Sequence, residues 1–124
     1  MLLLGCQLSG MHMELLDLEI AGQYKDVLGA EVFGETVDLY VEQSQLYLDK
    51  LKQAVVEQSY PNWQDSCHIL KSASGNTGLK QVFLKVKELE YSEDDFEQLS
   101  KALEELELLN SQSIAAIQKW LAQG

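Results

Sequence analysis

A chain of 124 residues is long enough for one domain with one hydrophobic core. Its 46% hydrophobic and 23% charged content is that of an ordinary globular protein, and a single Pro among abundant Leu, Glu, Gln, Lys and Ala favours helices. The net charge of −11 repels nucleic acid and anionic membranes, which sets both aside as partners, and no stretch approaches a membrane span.

Residues 1–13, MLLLGCQLSGMHM, look least like the rest. Leu3-Leu4-Gly5-Cys6 superficially resembles a lipoprotein cleavage box, but a basic n-region is missing and the apolar run is too short. Met11 and Met13 are alternative starts, so the segment reads as a flexible tail or an over-extended frame, and His12 gets no role. Residues 14–124 read as one helical domain.

Within it, Leu16, Ile20, Tyr24 and Val27 predict a short helix over 14–28, weakened by Gly22 and stopped by Gly29. Phe33, Val37, Tyr40, Ser44, Tyr47, Leu51 and Val55 step by three and four, which predicts a long amphipathic helix over 31–58. Pro61 ends the connection, and Asn62 with Asp65 is the expected N-cap of a third helix that frays at Gly75 and Gly78. A fourth, over about 79–90, has Leu79, Val82, Phe83, Val86 and Leu89 as its stripe. Lys80 and Lys87 lie on one flank of it, Lys85 on the other, and Leu84 on the outer face. Ser92 with Asp95 signals a last cap, followed by a helix to about Leu121 on Phe96, Leu99, Leu103, Leu106, Ser113, Ile117 and Trp120. The acidic outer positions early in that helix suit its dipole and a solvated face. The fold class is therefore all-α: an antiparallel up-down-up-down four-helix bundle with a short additional N-terminal helix.

The chemistry gathers in Cys67–Gly78. At helical spacing Trp63, Ser66, Leu70, Ala73 and Thr77 share a packing stripe, while His68, Lys71, Ser72 and Gly75 share the opposite one. That arrangement turns an imidazole to water, with an ammonium one turn on and small residues beside it. It suits a nucleophile for a phosphoryl group: a neutral imidazole needs little activation, and a cation can balance charge on the equatorial oxygens. Residues 66–87 hold Lys71, Lys80, Lys85 and Lys87 and no Asp or Glu, a +4 window against −15 for the remainder. Chance clustering of solvated lysines is the bland account; a local field for an anion is the functional one. All 9 basic residues are Lys, so bidentate Arg clamps on phosphate are absent. Cys6 and Cys67 make no disulfide framework, and Cys67 reads as a buried or half-buried thiol.

The stretch resembles the active-site helix of histidine-containing phosphotransfer (HPt) domains. Their motif is roughly His-x-Leu-Lys-Gly-small-small with a later Gly, carried here by His68, Leu70, Lys71, Ala73, Ser74 and Gly78. Ser72 stands where the family usually has Gly. The resemblance runs from about residue 17 to 121, and outside the motif it is mostly bundle pattern. It implies a phosphorelay intermediate, cytoplasmic and monomeric. His68 would accept a phosphoryl group from the aspartate of a receiver domain in a hybrid sensor histidine kinase, and would pass it to the receiver of a response regulator. Lys71 would stabilise the phosphoryl group, Ser72 and Gly75 would give clearance, and Lys80, Lys85 and Lys87 are accessory cations. Some members place a Gln near the imidazole; Glu90 aligns there, and its role stays open because a carboxylate accepts from the ring yet repels phosphate. The resemblance implies no cofactor on this chain, since magnesium belongs to the receivers. The sequence has no nucleotide-binding motif, so no autonomous kinase is expected. Two other readings stand beside this one. A non-catalytic helical adaptor would bind through the 31–58 or 92–121 faces. A metal-binding bundle would want paired Glu-x-x-His motifs, and only Asp65 precedes a His by three.

Overall fold

A computed structural model describes residues 15–123; the expected tail over 1–13, with Cys6 and His12, lies outside the described residues. Among the described residues five helices follow one another: α1 Leu18–Leu28, α2 Ala30–Glu57, α3 Tyr60–Thr77, α4 Lys80–Glu90 and α5 Phe96–Gln123. The described residues contain no strand, as the absence of alternating patterning requires.

Capping sets the boundaries, and it corrects three expectations. The Asp17 carboxylate accepts from the Ile20 amide at 3.1 Å, so α1 starts at Leu18 rather than at residue 14. Leu16 then precedes the helix, and the stripe drawn from it is rotated off the buried face. Leu16 and Ala21 are buried, whereas Val27 is 82% exposed. The cap of α3 is Ser59, whose hydroxyl accepts from the Asn62 amide at 3.3 Å, with Pro61 in the first turn. Asn62 therefore lies inside the helix. For α5 the cap is Asp95, accepting from the Gln98 amide at 2.9 Å, while Ser92 closes the preceding turn on Asp94.

Gly78 ends α3 with a left-handed φ of 82°. Its amide donates to Gly75, and the Leu79 amide donates to Ser74 at 2.9 Å, which satisfies two terminal carbonyls. The Gly78 carbonyl in turn accepts from the Asp17 amide at 2.8 Å, tying the entry of α1 to the end of α3.

Four of the helices close a ring: α2 packs on α3, α3 on α4, α4 on α5, and α5 back on α2, with α1 laid against α2. Paired residues run in opposite order along α2 and α5, from Phe33 on Trp120 through Tyr40 on Asn110 to Lys52 on Glu107. Trp63 against Leu89 and Gly75 against Phe83 show the same opposition for α3 and α4. The core is filled by Phe33, Tyr40, Leu51, Trp63, Leu70, Leu99, Leu106 and Ile117. In the second half of α2 the buried face moves to Leu48 and Ala54, leaving Tyr47 and Val55 half-buried, because the helix drifts against a seven-residue repeat. No helix among the described residues is long and apolar enough to cross a membrane.

Candidate functional site

Three anchors fix the rotation of α3. The Trp63 indole is fully buried and donates to the Leu89 carbonyl of α4 at 2.9 Å. Cys67 and Leu70 follow it into the core with no exposed surface. His68, one residue past Cys67, is thereby turned outward, and its side chain is 63% exposed.

Glu90 meets it there as the last residue of α4. One carboxylate oxygen, Oε2, lies 3.3 Å from His68 Nδ1, and the other, Oε1, lies 2.7 Å from Lys71 Nζ. The Glu90 side chain is only 2% exposed, yet it is covered rather than deep: His68, Lys71 and Tyr91 close over it. Burial pushes its carboxyl up, but the Lys71 ammonium, with Tyr91 and His68, outweighs burial and holds it below its ordinary value. An ionised carboxylate only accepts hydrogen bonds, so it assigns the ring hydrogen to Nδ1 and leaves a lone pair on Nε2. The Lys71 contact is an off-axis charge contact, which leaves Oε1 buried without a directed hydrogen bond.

Around the ring, Gln64, Asp65, Ile69, Glu90 and Tyr91 line an open depression of about 500 Å³ with His68 itself. The buried Cys67 thiol behind it is pushed up to about 12, by burial first and then by the Glu90 charge, with Lys71 opposing. It is a packing group rather than a nucleophile. Among the described residues, no cluster of three His, Cys, Asp or Glu side chains is arranged to hold a metal ion.

The remaining sequence candidates divide. Ser72 is exposed on the same outer face of α3 as His68. The room beside Gly75 is taken by Phe83: a Cβ there would stand 3.1 Å from the ring, so this glycine clears space for α4. Lys80 borders a separate depression with Gly75, Asn76 and Phe83. Lys87 is exposed one turn before Glu90. Lys85 turns away to α5, where it pairs with Glu105 at 3.3 Å, so it is not part of the site.

Glu90 is the residue whose part the sequence left open. A signal was present: four residues after Val86, it occupies a position on the apolar stripe of α4. A carboxylate in such a place needs a partner of opposite charge, and Lys71 is the cation that α3 presents to it.

No protein-family model matches the chain, and no curated protein matches it. Among solved structures, the histidine-containing phosphotransfer domain of ArcB from Escherichia coli superimposes with a TM-score of 0.78 at 18% sequence identity. The match covers 88% of this chain and 94% of that one. The chain thus has the fold of a histidine-containing phosphotransfer domain.

Proposed function

We propose that this chain is a phosphorelay intermediate that carries a phosphoryl group on His68 Nε2, taken from a receiver-domain aspartate and given to another receiver. The observation that carries this reading is the exposed imidazole whose Nδ1 is held by Glu90, beside a lysine, on a bundle with the fold of a phosphotransfer domain. The lone pair of Nε2 attacks phosphorus in line, and the receiver carboxylate leaves. Lys71 balances charge on the equatorial oxygens, and Lys87, exposed one turn before Glu90, adds to the positive field. Ser72, small and exposed on the same face, leaves room for the receiver's loops. Magnesium would come with the receiver, so this chain brings no cofactor of its own, and the reading gives it no kinase activity towards ATP.

The test is to mix the purified chain with several phosphorylated receiver domains and magnesium, following label onto wild type and His68→Gln. Acid-labile, base-stable label on wild type alone is the expected result. A folded wild-type chain that takes no label from any receiver overturns the reading and favours a binding role for the bundle.

A further inference from the structure

Glu90 stands in an unusual relation to a phosphorylated histidine. It places a negative charge, 2% exposed, against the ring that would carry a dianion. Its second oxygen meanwhile holds Lys71, the nearest cation for that dianion, at 2.7 Å. We infer that Glu90 makes phospho-His68 a short-lived carrier, by keeping the Nδ1 proton on the ring and by competing with the phosphoryl group for Lys71. This rests on the proposed phosphorelay role and deepens it.

The balance of the step shows why. When Nε2 attacks the acyl phosphate of a receiver, the N–P bond forms, the O–P bond breaks and the pair in it leaves with the receiver carboxylate. Nδ1 keeps its hydrogen, so the phosphorylated ring is a cation hydrogen-bonded to Glu90 Oε2. In the onward step the N–P pair returns to Nε2 and the ring leaves as neutral imidazole, a good leaving group. If Nδ1 instead loses its proton, the ring must leave as imidazolate, a poor one, and the phosphoryl group persists. A carboxylate on Nδ1 favours the first form.

Lys71 acts in the same direction. Its contact with Oε1 is short but off-axis, so the ammonium can turn toward a new anion. Turning leaves a covered carboxylate without its cation, a cost that raises the energy of the phosphorylated state. The titratable groups around this centre are Lys71, Asp65 and the buried Cys67 thiol on α3, Glu90 at the end of α4 with Lys87 one turn before it, and Tyr91 just after α4. Glu90 is the one carboxylate that meets both ring and ammonium.

Glu90→Gln keeps the shape and removes the charge. The readout is the lifetime of the phosphohistidine, formed on both proteins with phosphoramidate so that no receiver is needed, and followed by phosphorus NMR from pH 5 to 9. In Glu90→Gln the lifetime near neutral pH is expected to lengthen about tenfold, and the pH at which loss accelerates on acidification to fall by about one unit. With a receiver present, the label should partition further toward Glu90→Gln than toward wild type. Glu90→Asp, which retains the charge, should stay near wild type in both. Equal lifetimes for wild type and a folded Glu90→Gln overturn the inference, as does a wild-type ring that takes no phosphoryl group. Label that arrives from phosphoramidate but from no receiver sinks the relay role alone, and the lifetimes still decide this inference.

Discussion

Lys71 and Glu90 are held in place by each other. Deleting the ammonium strands a carboxylate that is 2% exposed, while deleting both charges leaves nothing stranded. Lys71→Ala is therefore expected to lose about 2 kcal/mol in urea denaturation, and the double variant Lys71→Ala/Glu90→Ala to recover part of that loss. Equal losses in the single and double variants would mean that the carboxylate left by Lys71→Ala is not stranded. At this scale the sequence disclosed His68 and Lys71, because helical spacing alone puts them on the face opposite Trp63 and Leu70. It did not disclose the part of Glu90. A position on an apolar stripe says that a carboxylate is covered, but the identity of the group covering it depends on how α4 lies across α3. Lys85 was misplaced for the same reason: its partner, Glu105, comes from a helix that begins eleven residues later.

The short connection from α3 to α4 is a demanding part of the chain. Gly78 combines a φ of 82° with a Cβ position 3.2 Å from the Ala21 side chain and 3.3 Å from the Asp17 carbonyl. Gly78→Ala meets backbone strain and crowding together, and is expected to cost about 1–2 kcal/mol in urea denaturation. At the other end of α3, Ser59→Ala removes the acceptor for the Asn62 amide and should cost about 1 kcal/mol, with faster amide exchange confined to the first turn. Uniform exchange along α3 would contradict that assignment of the cap. The existence and order of the helices were legible from periodicity, since each long helix buries one stripe. Their ends were less so, because Ser59, Asn62 and Asp65 are all competent caps and tertiary packing chose the first. A cap also decides which residues belong to a helix at all, and Leu16 fell outside α1 on that account.

Among the described groups whose titration is tied to folding, Tyr40 is raised by burial in the core, and two others lie at the candidate site. Glu90 is held below its ordinary value of 4.5, so its contribution is fully present above that pH and fades as pH falls through its lower folded value. Cys67 is raised from 9.0 to about 12, so its contribution is present below pH 9 and declines as pH rises from there toward 12. Thermal unfolding should thus show an alkaline limb starting near pH 9 that is shallower in Cys67→Ala; an unchanged slope would show that the thiol titrates freely in the folded chain. Across the bundle, the Tyr40 hydroxyl donates to Asn110 at 2.6 Å and the Asn110 amide donates to Ser44 at 3.0 Å. Ser44 was on the expected stripe and Asn110 was not, because a buried amide is recognisable only once its partners, 66 and 70 residues away, are known.

The central claim is that phosphorus is carried on Nε2 of His68, the nitrogen that Glu90 leaves open. The most direct test is nitrogen and phosphorus NMR of the chain, labelled at its histidine nitrogens and phosphorylated by a receiver domain. A phosphorus coupling to Nε2 of His68, lost in His68→Gln, is the result this account requires. Phosphorus on Nδ1, or on any other residue, would contradict it.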